Sequence, residues 1–199
     1  MKKKLLSLLA AFLFCVHAGP VLSHPHVFID AELVFVFDDG GLVGIRERWV
    51  FDEMFSQGLL SDFGAEDGRL TNETVVLLRD IFYENTRDYN YYNILTIDGQ
   101  EHTIESLRDF SVYTEDYRIV YEFFVPCRVA APPSGEKRVQ VLLFDETIYT
   151  HLTIAEYRME TQSNHDALVV DLKYEMHDEV ITPLGSLVPD SVVAAFRKK

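Results

Sequence analysis

Hydrophobic positions alternate along most of this chain. From Val27 to Phe37 the apolar residues fall at Val27, Ile29, Leu33, Phe35 and Phe37, a period of two that predicts a half-buried strand. Asp38-Asp39-Gly40-Gly41 reads as a turn. Val43, Ile45, Trp49 and Phe51 then resume the alternate spacing. A hairpin with a three-residue loop, Asp38 facing Leu42, puts both apolar sets on one face and sets Glu32 opposite Arg48 as a charge pair. The same register sets His26 opposite Met54, on the face of Asp52 and diagonal to it.

The period then changes. Residues 53–61 predict a short helix and 72–87 a longer one, with Val75, Leu78 and Phe82 on one face. The acidic stretch between them, Asp62 to Glu73, has the outline of a calcium hand but fails its spacing. Glu73 lies five residues after Gly68 where six are needed, and Phe63 and Ala65 occupy positions that require oxygen ligands. It reads instead as a turn followed by a helix N-cap at Thr71 or Asn72. Seven further strands are predicted, near 91–98, 101–105, 109–114, 117–126, 137–144, 148–158 and 166–176. The loop Ala130-Ala131-Pro132-Pro133-Ser134-Gly135 marks a candidate subdomain boundary near 130–136. Pro183 and Pro189 keep the tail irregular, and Asp190 or Ser191 reads as the cap of a short terminal helix. The expected fold class is α+β: an antiparallel β-rich sheet or sandwich, with a helix-loop-helix insertion after the first hairpin.

Composition narrows the function classes. The 199 residues carry 18 Lys+Arg against 32 Asp+Glu, a net charge of −14, which argues against a nucleic-acid backbone or an anionic membrane as partner. At 48% hydrophobic the chain is too apolar to be disordered. Its first residues have the layout of a signal peptide: Lys2, Lys3 and Lys4, the apolar run Leu5 to Val16, the break Gly19-Pro20, and small residues Val21 and Ser23. Cleavage after Ser23 is expected, giving a leader at 1–23 and one exported, periplasmic domain at 24–199. Removing three lysines and no acid makes the product more acidic, and Cys127 becomes its lone cysteine, so no internal disulfide forms. No later apolar run reaches the length of a membrane span.

That cleavage exposes His24-Pro25-His26. The α-amine and the imidazole of an N-terminal histidine titrate low enough for a metal to displace both protons at neutral pH. Amine and Nδ1 would chelate one ion. Pro25 holds His24 out of the helical region, and an extended segment points His24 and His26 to the same side. Pro25 also lacks the amide proton that a square-planar amide site would need. Nitrogen-rich ligation suits Zn, Ni, Co or Cu. Asp52 is a candidate fourth ligand or supporting acceptor, with helix capping as its plain alternative.

The remaining chemistry is sparse. No nucleophile elbow, phosphate-binding loop, Cys-x-x-Cys or His-Glu-x-x-His run occurs. His102, His151, His165 and His177 are scattered singly, and His151, after Tyr149 in an aromatic strand, is the best placed to complete a site. Cys127 reads as a buried inert thiol. Tyr89, Tyr91 and Tyr92 read as a packing cluster, with ligand stacking as the alternative.

Four stretches together resemble the exported domain of unknown function numbered 1007. They are His24-Pro25-His26-Val27-Phe28-Ile29-Asp30, Trp49-Val50-Phe51-Asp52-Glu53, Asn85 to Tyr92, and Phe144-Asp145-Glu146-Thr147-Ile148-Tyr149. The likeness runs over nearly the whole mature chain. The resemblance implies metal handling beside a nickel/cobalt- or zinc-type transport system. The expectation is therefore a non-enzymatic periplasmic protein that binds a transition metal through His24, His26, Asp52 and His151 and works with an inner-membrane metal transporter. Two other readings stand beside it: a metal-free adaptor, and a copper oxidoreductase whose histidine brace would need His151 or His102.

Overall fold

The computed structural model describes residues 26–163 and 167–199. Strands β1 (Val27–Asp38) and β2 (Gly41–Phe51) form the expected hairpin. The turn is one residue tighter than expected, pairing Asp38 with Gly41 and Phe37 with Leu42. A bulge at that point restores the expected register, so Glu32 faces Arg48. Pairing ends at Ile29 and Phe51. The chain then turns into α1 (Glu53–Asp62), where Met54 is 75% exposed and faces no strand. His26 accordingly lies beside Tyr149, not Met54, and its N–H donates to the Tyr149 carbonyl at 2.9 Å.

Helix α2 (Asn72–Thr86) starts at Thr71, whose hydroxyl accepts from the Thr74 N–H at 3.2 Å. Leu78 and Phe82 on its inner face are buried. A 3-10 turn (Arg87–Tyr92) leads into β3 (Asn93–Ile97) and β4 (Gln100–His102). Then follow β5 (Arg108–Glu115), β6 (Arg118–Ala130), β7 (Lys137–Leu143), β8 (Thr150–Ser163) and β9 (Leu168–Met176). Each falls within a few residues of its sequence expectation. A small hairpin, β10 (Val180–Thr182) and β11 (Gly185–Leu187), precedes β12 (Asp190–Lys198).

These strands make two five-stranded sheets, β5-β6-β2-β1-β8 and β4-β3-β7-β12-β9. The loop at 131–136 carries the chain from the first sheet to the second. The fold is the expected β-rich α+β arrangement. Pairing is antiparallel throughout the two sheets except between β1 and β8, which run parallel. One hydrophobic cluster draws on both sheets and on α2. Phe82 lies 5.7 Å from Trp49 and 4.9 Å from Phe110, and Phe37 meets Phe196 edge-on at 5.2 Å. Among the described residues no helix is long and apolar enough to cross a membrane.

The tail departs from the expected short helix. Val192 to Phe196 are five consecutive buried residues in a strand flanked by β7 and β9. A short apolar run covered on both faces has no period to betray its type. Asp190 caps no helix; its carboxylate accepts from the Ile154 N–H and the Tyr174 hydroxyl, both at 2.7 Å, and ties β8 to the second sheet.

Candidate functional site

The first strand begins where the expected metal-binding run ends. His26 is exposed and its ring lies 5.1 Å from that of Tyr149. In the parallel register Phe28 faces His151, and those rings are 5.9 Å apart. Because alternate residues share a face, His26 and Phe28 form one outward ladder with Tyr149 and His151 on the neighbouring strand. The structure thus brings His26 and His151 onto adjacent rungs. His24 and Pro25 lie outside the described residues.

Asp52 borders the same rungs from the β2 side. Its N–H donates to the Phe28 carbonyl at 2.8 Å, and its Oδ2 accepts from the Phe28 N–H at 2.9 Å. Its Oδ1 accepts from the Phe55 N–H at 2.8 Å and caps α1. Both carboxylate oxygens are therefore engaged by backbone, and a metal would compete with that cap. Among the described residues no group of three or more His, Cys, Asp or Glu side chains could hold a metal ion.

The other singled-out residues are dispersed. His102 sits in β4, and the His177 Nδ1 lies 3.2 Å from the Asp178 carbonyl. His165 is outside the described residues. Cys127 is 1% exposed, and burial pushes its thiol up to about 11, the inert state expected of it. Of the tyrosines, Tyr91 is buried at 2% exposure and Tyr92 lies parallel to Trp49 at 6.4 Å, whereas Tyr89 is 41% exposed.

Two features escaped the sequence reading. Glu47 is wholly buried on the core face of β2, facing Leu33 and Phe123 on the strands to either side. Its Oε2 accepts from the Trp49 indole at 2.8 Å, and its Oε1 has no hydrogen-bond partner among the described residues. Desolvation pushes its carboxyl up to about 8, against the smaller opposing pull of the Trp49 indole and the Asn93 amide. The signal was available: in an Ile45-x-Glu47-x-Trp49 alternation, the glutamate falls on an apolar face.

The second feature is left-handed backbone at non-glycine residues. Asn90, Tyr91 and Tyr92 have φ of 52°, 56° and 58°, and the β-branched Ile148 has φ of 56°. Such backbone costs about 1–2 kcal/mol per residue and persists only where neighbours over-determine it. Asn90 is the brace of the first segment: its Oδ1 accepts from the Ile104 N–H at 2.8 Å and its Nδ2 donates to the Asn93 carbonyl at 2.6 Å. Asp145 is the brace of the second. This wholly buried carboxylate accepts from the Thr147 N–H, the Thr147 hydroxyl and the Thr150 N–H at 2.9, 2.7 and 2.8 Å.

Comparison with known proteins locates the chain without describing its chemistry. The model of a family described as "Protein of unknown function (DUF1007)" matches residues 9–183. An uncharacterised protein of Haemophilus influenzae is 29% identical over 139 residues, covering 68% of this chain and 65% of the relative's own length.

Proposed function

The chain belongs to the DUF1007 family, and we propose that it is an exported, non-enzymatic protein that binds a transition metal at its processed N-terminus as cargo for an inner-membrane metal transporter. The observation that supports this reading is the outward ladder at the start of β1. His26 and His151 share one face of two adjacent strands, at the end of the chain that cleavage after Ser23 would make the terminus. His24 would contribute amine and imidazole, His26 a second imidazole, and His151 a third. Zn, Ni, Co and Cu all accept such a donor set. Asp52 would hold the Phe28 backbone and the start of α1 in place beneath the ion.

The experiment is calorimetric titration of the protein beginning at His24 with Zn and Ni, beside a version with one extra residue before His24. The extra residue removes the free amine from the chelate and should weaken binding by at least about tenfold. Equal affinity in both would refute the role of the amine. Loss of binding in His26→Ala with retention in His102→Ala would locate the site.

A metal-free adaptor is the second reading, and the β10–β11 hairpin favours it. Residues 180–189 carry no charge, Ile181 is 79% exposed and Leu184 is 43% exposed. An uncharged apolar tip suits contact with another protein. On that reading metal leaves the melting temperature unchanged, whereas a ligand of the native state raises it.

A further inference from the structure

Beneath Tyr149 a cleft of about 510 Å³ opens between the first sheet and α2. Trp49, Phe51, Phe82, Tyr92 and Tyr121 line it, and Tyr89 and Tyr149 flank it as half-exposed rings. We infer that this cleft is a binding site for an uncharged aromatic small molecule. The inference stands apart from the metal reading and uses none of the histidines.

Three observations carry it. The volume lies in the range of small-molecule sites, which are concave, mostly apolar and furnished with few polar groups. No charged side chain lines the cleft. An ionic ligand would surrender its hydration for no counter-charge, while a flat neutral ring would gain stacked and edge contacts with the walls. Two hydroxyls of the wall are committed within the protein. The Thr86 hydroxyl donates to the Phe82 carbonyl at 2.8 Å, and that of Thr147 donates to Asp145. Tyr121 also lines the cleft and is 5% exposed. Burial pushes that phenol up, so it stays a protonated donor. The ligand is therefore a flat, neutral aromatic molecule.

The walls are also pre-shaped. Tyr92 comes from the left-handed segment held by Asn90, and Thr147, Tyr149 and Thr150 come from the loop held by Asp145. A cleft whose walls are braced before a ligand arrives spends little order on binding.

The chain has a single tryptophan, Trp49, and it lines the cleft, so its emission reports occupancy directly. The probe is neutral N-phenyl-1-naphthylamine, titrated into the purified protein. Saturable quenching of Trp49 by energy transfer is expected. Tyr89→Ala, which removes an exposed wall, and Ile81→Asp, which puts a charge in the lining, should each weaken the probe by about tenfold. Val76→Asp carries the same charge on the same helix outside the cleft and should leave affinity unchanged. The sulfonated analogue, 1-anilinonaphthalene-8-sulfonate, should bind at least about tenfold more weakly than the neutral probe. Unchanged melting temperatures in the variants separate lost binding from lost folding. No saturable binding, equal affinity in Ile81→Asp and Val76→Asp, or equal binding of the sulfonate would overturn the inference.

Discussion

Replacing Glu47 with glutamine tests how the core tolerates a buried acid. The folded protein holds this carboxyl at about 8, against 4.5 for an ordinary glutamate, and desolvation is the main cause. Between those two values the folded state carries one proton that the unfolded state has lost. Stability is therefore undiminished below 4.5 and falls as pH rises toward 8, by about 1.4 kcal/mol per pH unit. Across the whole window the loss approaches about 5 kcal/mol, a large part of a typical domain's stability. Glutamine keeps the shape and still accepts from the Trp49 indole, but does not titrate. At pH 5 the two proteins should unfold within about 1 kcal/mol of each other. At pH 8.5 Glu47→Gln should be the more stable by several kcal/mol. Urea unfolding followed by Trp49 emission at half-unit steps of pH provides the measurement. The groups with depressed values, Asp38, Asp98 and Glu175, act on the acid side of this window, so the difference between the curves isolates Glu47. Two curves that fall in parallel from pH 5 to 8.5 would refute the reasoning.

The remaining predictions concern the braces and close approaches. Asp52→Ala removes the cap of α1 and the acceptor for Phe28, so stability should fall by about 1–2 kcal/mol, with faster amide exchange at Phe28 than elsewhere in β1. Asp145→Ala strands two backbone donors in a buried loop and should cost about 3 kcal/mol in urea unfolding, with Asp145→Asn recovering part of it. Gly44→Ala would set a Cβ 2.3 Å from the Phe124 ring and 2.5 Å from the Val125 carbonyl, costing about 3 kcal/mol or more. Gly58→Ala is its contrast, with nothing within 4 Å in an exposed helix, and should raise stability by up to about 1 kcal/mol.

The elements with a clear period were legible. Alternation marked β1, β2 and most later strands, and the Glu32–Arg48 pairing followed from counting outward from the turn. That pair is now part of a network: Arg48 reaches Glu32 at 2.9 Å and also Glu115, and Arg158 reaches Glu32 at 3.1 Å. The helix start at Thr71 was legible because capping is local chemistry. Pairing of His26 with Met54 failed because the hairpin register was extended past the point where Asp52 turns the chain. A cap overrides a ladder once the next residues prefer a helix. The last strand was illegible for the opposite reason: its position between β7 and β9 is fixed by residues some fifty and twenty positions away, and five apolar residues in a row record none of that.

The left-handed segments beside the cleft combine local and distant contacts. Asn90 is a residue that tolerates left-handed backbone, whereas nothing intrinsic to Tyr91, Tyr92 or Ile148 favours it. Glycine would adopt it freely, whereas tyrosine and isoleucine resist it. Asn90 holds the first segment through the distant Ile104 N–H and the nearby Asn93 carbonyl, and Asp145 holds the second through Thr147 and Thr150 within its own loop. Those same segments deliver Tyr92, Thr147 and Tyr149 to the cleft. Tyr149 also carries the ring on which His26 rests and the carbonyl that fixes the start of β1. The strained loop thus supports both the outward histidine ladder and the aromatic wall. Backbone preference alone would have placed glycine at Ile148. A β-branched residue there is 6% exposed, with its Cδ1 beside Gly185 of the β10–β11 hairpin.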